Sequence, residues 1–104
     1  MNDLDWHWLT LSQACQRLKS GQSSALELTR DMLRRASALA DQTRCYVHLL
    51  ENDALAEAQK LDDKQAAGEP LGLLHGIPIG IKDLLFTRGL PTASGTMVMQ
   101  DFCP

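Results

Sequence analysis

The chain is defined first by what it does not contain. It has no run of Lys and Arg: ten basic residues are spread among thirteen acidic ones, for a net charge of −3. The electrostatic footprint of a nucleic-acid binder is therefore missing, and no direct nucleic-acid partner is expected. No apolar stretch approaches the roughly 20 residues that span a bilayer. The opening Met1-Asn2-Asp3-Leu4-Asp5 is acidic, the wrong sign for a secretory leader. A cytoplasmic place of action and no membrane partner are the resulting expectations. Cysteines are few and odd in number, with Cys15, Cys45 and Cys103 far apart. They read as reduced thiols and not as a disulfide framework. His7, His48 and His75 are just as scattered, so neither residue type has the spacing of a metal site. No metal and no cofactor is expected. Disorder is excluded too, because 44% of the residues are hydrophobic and only 22% charged.

What is present is a helical first two-thirds. Thr10-Leu11-Ser12-Gln13 has the form of a capping box. Leu11, Ala14, Cys15 and Leu18 follow at helical spacing, and Gly21 offers a stop. Ser24-Ala25-Leu26-Glu27 repeats the start signal, with Leu28, Met32, Ala36 and Leu39 as one stripe and Arg30, Arg34 and Arg35 as a solvated face. A third amphipathic stretch places Leu55, Ala58 and Leu61 inward and Asp62, Asp63 and Lys64 toward water, ending at Gly68-Glu69-Pro70. The pattern predicts helices over about residues 11–20, 25–40 and 53–67, and a short strand over about 44–50 around Tyr46 and Val47.

The last third changes character. In Leu74-His75-Gly76-Ile77-Pro78-Ile79-Gly80-Ile81-Lys82-Asp83, bulky isoleucines alternate with small residues, which predicts a second strand over about 77–82. Arg88-Gly89-Leu90-Pro91 is a turn signal, and Thr92-Ala93-Ser94-Gly95-Thr96 is a small polar loop whose backbone can approach another group. Two short strands do not make a stable sheet, so the expectation is an α/β domain that is incomplete in this chain. An isolated chain of this kind should pack loosely or form homo-oligomers that hide the second strand.

Lys82 is the residue out of place. Surface lysines sit on charged faces, whereas this one ends an apolar run. Gly80 precedes it on the same strand face and leaves the space beside its stem open. A lysine held in an apolar pocket is pushed toward its neutral form, and a neutral amine can serve as a general base. The bland alternative is an exposed lysine that snorkels to solvent or pairs loosely with Asp83. A phosphate-binding loop is excluded. Gly76 and Gly80 are separated by three residues and not four, Ile81 intervenes before the lysine, and Asp83 stands where Ser or Thr is needed.

The segment from Gly68 through Gly72, the lysine motif at 74–83 and Gly89-Leu90-Pro91-Thr92-Ala93-Ser94-Gly95-Thr96 together resemble the amidase signature family. The order of capped helices, short strand and alanine-rich helix is similar to the family's N-terminal layout, so the resemblance covers essentially the whole chain. It implies a mixed-sheet α/β fold and amide hydrolysis, or amide-nitrogen transfer, by a Ser–cis-Ser–Lys triad. It places the catalytic lysine on Lys82 and implies a small-molecule amide as substrate of the complete protein. The departures are specific. Leu73 stands where many relatives have proline. No Gly-Gly-Ser-Ser-Gly-Gly-like stretch exists, Ser23-Ser24 opens a helix, and Ser94-Gly95 matches the loop after the lysine. The chain thus reads as the N-terminal part of one amidase domain, inactive by itself because both serines are absent. Two alternatives stay open: a non-catalytic helical module that binds a partner, and a piece of the glutaminase component of a tRNA-dependent amidotransferase. Asp83-Leu84-Leu85-Phe86 and Gly89-Leu90-Pro91 look more like the general amidases.

Overall fold

A computed structural model of the 104-residue chain describes residues 3–46, 48–83, 85, 88 and 103. A 3₁₀ segment, Asp3–Trp8, leads into three α-helices: α1 (Leu11–Lys19), α2 (Ala25–Thr43) and α3 (Glu51–Ala66).

Each helix starts and stops for a local reason. At α1 the Thr10 hydroxyl accepts from the Gln13 amide at 3.2 Å, and the Gln13 side chain accepts from the Thr10 amide at 2.9 Å, closing the capping box. At α2 the Ser24 hydroxyl accepts from the Glu27 amide at 3.0 Å. Helix α3 has no side-chain cap at Leu50, and it begins two residues earlier than periodicity suggests. Glu51 and Asp53 lie in its first turn, where negative charge meets the positive end of the helix dipole.

Among the described residues there is no strand, so the α/β expectation is not met within them. The first expected strand loses its start to α2. That helix runs on to Thr43, whose hydroxyl donates to the Leu39 carbonyl at 2.9 Å. Arg44 then takes a left-handed conformation (φ 49°, ψ 33°), and its amide closes on the Ala40 carbonyl at 2.9 Å. Arg44 is a helix cap and not the first residue of a strand. The second expected strand, 77–82, has no strand paired beside it among the described residues. Extended backbone becomes a strand only when another strand pairs with it.

The core is small. Trp6, Leu18 and Leu28 are buried together, with Leu9, Ala14, Met32 and Ile77 packed around them. Leu18 is fully buried, which contributes about 1.5–3 kcal/mol relative to an exposed leucine. Arg17 lies over the Trp6 ring at 5.3 Å, within cation–π range. Leu11, assigned by spacing to the inner stripe of α1, is exposed instead.

The two long helices pack against each other. Their pairing is fixed by Asp62, which the helical pattern assigned to solvent. Its carboxylate accepts from the Ala25 amide at 2.7 Å and the Leu26 amide at 3.0 Å. With Ser24 on Glu27, the first three amides of α2 are all satisfied, two of them by another helix.

Candidate functional site

The segment that carries Lys82 starts at the end of α3. Gly68 adopts φ +77°, and the Glu69 and Gly68 amides reach back to the Lys64 and Gln65 carbonyls at 3.2 and 3.0 Å. This paired closure is the Schellman arrangement, which needs a left-handed residue after the cap. The chain then leaves the helix through Pro70 and returns toward α1. There the Cys15 thiol lies 3.5 Å from the Leu73 carbonyl.

Leu74 to Ile77 form a tight turn, closed by the Ile77 amide on the Leu74 carbonyl at 3.1 Å. Gly76 sits at its third position with φ +79°, the geometry a type II turn reserves for glycine. A Cβ on Gly76 would lie 3.0 Å from the Ala25 Cβ and 3.1 Å from the Leu18 Cδ1. The turn is therefore pressed into the angle between α1 and the first residue of α2. Its other anchor is His75, which is buried. The His75 Nε2 lies 3.3 Å from the Gln65 Oε1, and the Gln65 amide nitrogen donates to the Leu18 carbonyl at 2.8 Å. Since that nitrogen is committed to Leu18, the oxygen faces the imidazole, and His75 donates from Nε2.

Beyond the turn the three isoleucines part company. Ile77 packs on the core, whereas Ile79 and Ile81 are 67% and 61% exposed. Lys82 is exposed, and its carbonyl accepts from the Leu85 amide at 3.0 Å. The apolar enclosure expected around the lysine is thus not formed by residues 77–81. Gly80 is less open than its sequence context suggests. A Cβ there would meet the Tyr46 ring at 3.7 Å, an ordinary contact. Tyr46, from the loop after α2, is the neighbour that defines this face of the segment.

The small-residue loop at 92–96 and most of the turn at 88–91 lie outside the described residues. Ser23 and Ser24 belong to the start of α2, and Lys82 is not among the residues lining the clefts found beside Ser24 and Asp62 and beside Trp6 and Ile77. No group of three His, Cys, Asp or Glu side chains among the described residues is placed to hold a metal. No described helix is long and apolar enough to cross a membrane. Sequence reasoning missed Gln65 and Asp62, which tie this segment and α2 into place. A glutamine and an aspartate three residues apart on a helix carry no signal of their tertiary partners.

The profile of the family described as Amidase matches residues 27–104. Among curated proteins, a component of the glutamyl-tRNA(Gln) amidotransferase of Chloroflexus aggregans is 42% identical over 98 residues, covering 94% of this chain and 20% of that protein. Its counterpart from Microcystis aeruginosa is 41% identical over 95 residues, covering 91% and 20%. That of Salinispora tropica is 43% identical over 84 residues, covering 81% and 17%. The chain therefore spans about a fifth of the length of the relatives it matches. No solved structure matches it. The lysine motif lies wholly inside a family match that takes in three-quarters of the chain, and the chain belongs to the amidase family.

Proposed function

We propose that this chain is the N-terminal part of an amidase domain and that Lys82 is the base of its Ser–cis-Ser–Lys triad. The complete domain is a mixed α/β sheet in which residues 77–82 pair as a strand with neighbours supplied from elsewhere in the protein. The observation that carries the reading is the ordered run Gly76-Ile77-Pro78-Ile79-Gly80-Ile81-Lys82-Asp83 within the family match, rooted on α1 and α2 and presenting the lysine at its far end.

The chemistry follows from the residue type. A neutral Lys82 amine takes a proton from a bridging serine, which takes one from the nucleophilic serine as its oxygen bonds to the amide carbon. The proton returns to the leaving nitrogen as the carbon–nitrogen bond breaks. Water, deprotonated through the same relay, then attacks the acyl-serine ester to release the acid and restore the serine. The logic is that of Ser–His with a different base. Both serines and the oxyanion-holding amides come from outside these 104 residues, and the surface that dries the lysine comes from residues other than 77–81. The substrate is a small carboxamide, and the reaction needs no cofactor. The protein acts in the cytoplasm.

The test is amide hydrolysis by the complete protein. Lys82→Ala is expected to lower turnover by several orders of magnitude without lowering the melting temperature, as expected for a residue that acts in the transition state. Lys82→Arg is not expected to rescue it, because guanidinium stays protonated. Near wild-type turnover in Lys82→Arg would end the assignment. A second reading, the glutaminase component of a tRNA-dependent amidotransferase, is favoured by the names of the relatives. Glutamine hydrolysis that rises sharply with partner proteins and charged tRNA would select it, and free turnover of simple amides would select the hydrolase.

A further inference from the structure

We infer that Gln65 and His75 are positioning residues for Lys82, an assignment that rests on Lys82 being the base. The segment from 77 to 82 has little of its own to hold it: Ile79, Gly80, Ile81 and Lys82 are all exposed, and no neighbouring strand pairs with it among the described residues. Within the described residues its placement is set at its root. At that root, three groups stand in series. The Leu18 carbonyl, near the end of α1, accepts from the Gln65 amide at 2.8 Å, and the Gln65 oxygen faces the His75 Nε2 at 3.3 Å. His75 is followed directly by Gly76, which is wedged between Leu18 and Ala25.

The series runs through buried or part-buried groups, where an unpaired member is costly and a paired one fixes geometry. The Gln65 nitrogen also lies 3.5 Å from the Lys19 carbonyl, so the side chain caps the last turn of α1 while it holds the imidazole. Gln65 belongs to α3, so one side chain registers α1, α3 and the turn that launches the lysine. A small rotation at His75 is carried through the turn at Gly76 to Lys82, seven positions further on.

The nature of the contact suggests its own test. Glutamine carries its amide nitrogen where histidine carries Nε2, and asparagine places its nitrogen closer in, where histidine has Nδ1. His75→Gln therefore keeps the donor, while His75→Phe keeps the bulk and loses the donor. In the complete protein, His75→Phe and Gln65→Leu are expected to lower kcat by about 10–100-fold, the scale of a misplaced catalytic group. KM should stay within about twofold, since substrate contacts are untouched. His75→Gln should stay within about threefold of wild type, and the double variant should be no worse than His75→Phe, because the two residues act as one unit. Melting temperatures are measured alongside, with Lys82→Ala as the reference. A packing role alone gives the reverse order, Phe tolerated and Gln not, and overturns the inference. So does wild-type kcat in Gln65→Leu and His75→Phe when Lys82→Ala is dead. Wild-type turnover in Lys82→Ala would instead remove the base assignment and this inference with it.

Discussion

Substituting Gly76 by alanine tests the packing at the root of the lysine segment. The added methyl would sit 3.0 Å from the Ala25 Cβ and 3.1 Å from the Leu18 Cδ1. Neither neighbour yields easily. Ala25 is the first residue of α2, held by the Asp62 carboxylate on its amide. Leu18 is fully buried, so its methyl has no free space to turn into. The φ of +79° adds a second cost, because alanine is strained in the left-handed region by about 1–2 kcal/mol. Overpacking adds about 1–3 kcal/mol. The sum is roughly 3 kcal/mol, which for a chain of this size corresponds to more than about 10 °C in Tm. Gly72 is the internal control. A Cβ there has nothing within 4 Å, and the residue has no left-handed φ. Gly72→Ala should stay within about 1 kcal/mol of wild type and can even stabilise by narrowing the unfolded ensemble. The assay is far-ultraviolet circular dichroism of the 104-residue chain across urea and temperature. Removing the opposing methyl isolates the clash. In an Ala25→Gly background the cost of Gly76→Ala should shrink by about 1 kcal/mol through direct coupling. Equal midpoints for Gly76→Ala and Gly72→Ala, or strict additivity with Ala25→Gly, would refute the reasoning.

Further expectations concern other parts of the molecule. Asp62→Ala leaves the Ala25 and Leu26 amides without their partner and should cost about 2–3 kcal/mol, with Asp62→Asn intermediate, read from the same urea transitions. Trp6 is buried and Trp8 is 79% exposed, so acrylamide should quench Trp8 strongly, and Trp8→Phe should leave a blue-shifted, protected emission from Trp6; equal quenching of both would contradict the core. Leu73, Ile79, Ile81 and Leu85 form an exposed aliphatic series, so sedimentation of the isolated chain should show concentration-dependent association that Ile79→Lys with Ile81→Lys weakens; a monomer at every concentration would count against it. The isolated chain should hydrolyse no amide above background, and turnover lost on Lys82→Ala would prove otherwise.

What the sequence discloses and what it hides divide along physical lines. The capping box at Thr10 and Gln13 and the cap at Ser24 are local interactions between residues three apart, and short patterns report them. The lysine motif is legible as a motif, yet its surroundings are not. Alternation of Ile77, Ile79 and Ile81 implies one buried face, but only Ile77 reaches the core. A strand's inner face needs a second layer, and the periodicity of one segment cannot say where that layer comes from. Asp62 fails for a related reason. Flanked by Asp63 and Lys64, it reads as solvated, although its partners lie 36 and 37 residues away. Trp6, outside every periodic stretch, becomes core through the cluster it forms with Leu18 and Leu28 and the Arg17 side chain above it.

The Asp62 cap also turns two amides into reporters. The first amides of a helix ordinarily exchange their protons with solvent quickly, since no carbonyl within the helix accepts from them. In α2, the Ala25 and Leu26 amides are bound by a carboxylate that belongs to α3. Their exchange therefore follows the separation of two helices and not the fraying of one end. Slow exchange at Ala25 and Leu26 signals that α3 is docked, and the same two amides speed up when it leaves, even while the middle of α2 stays wound. Deuterium uptake at these positions thus measures, within this chain, how often the helical pair opens.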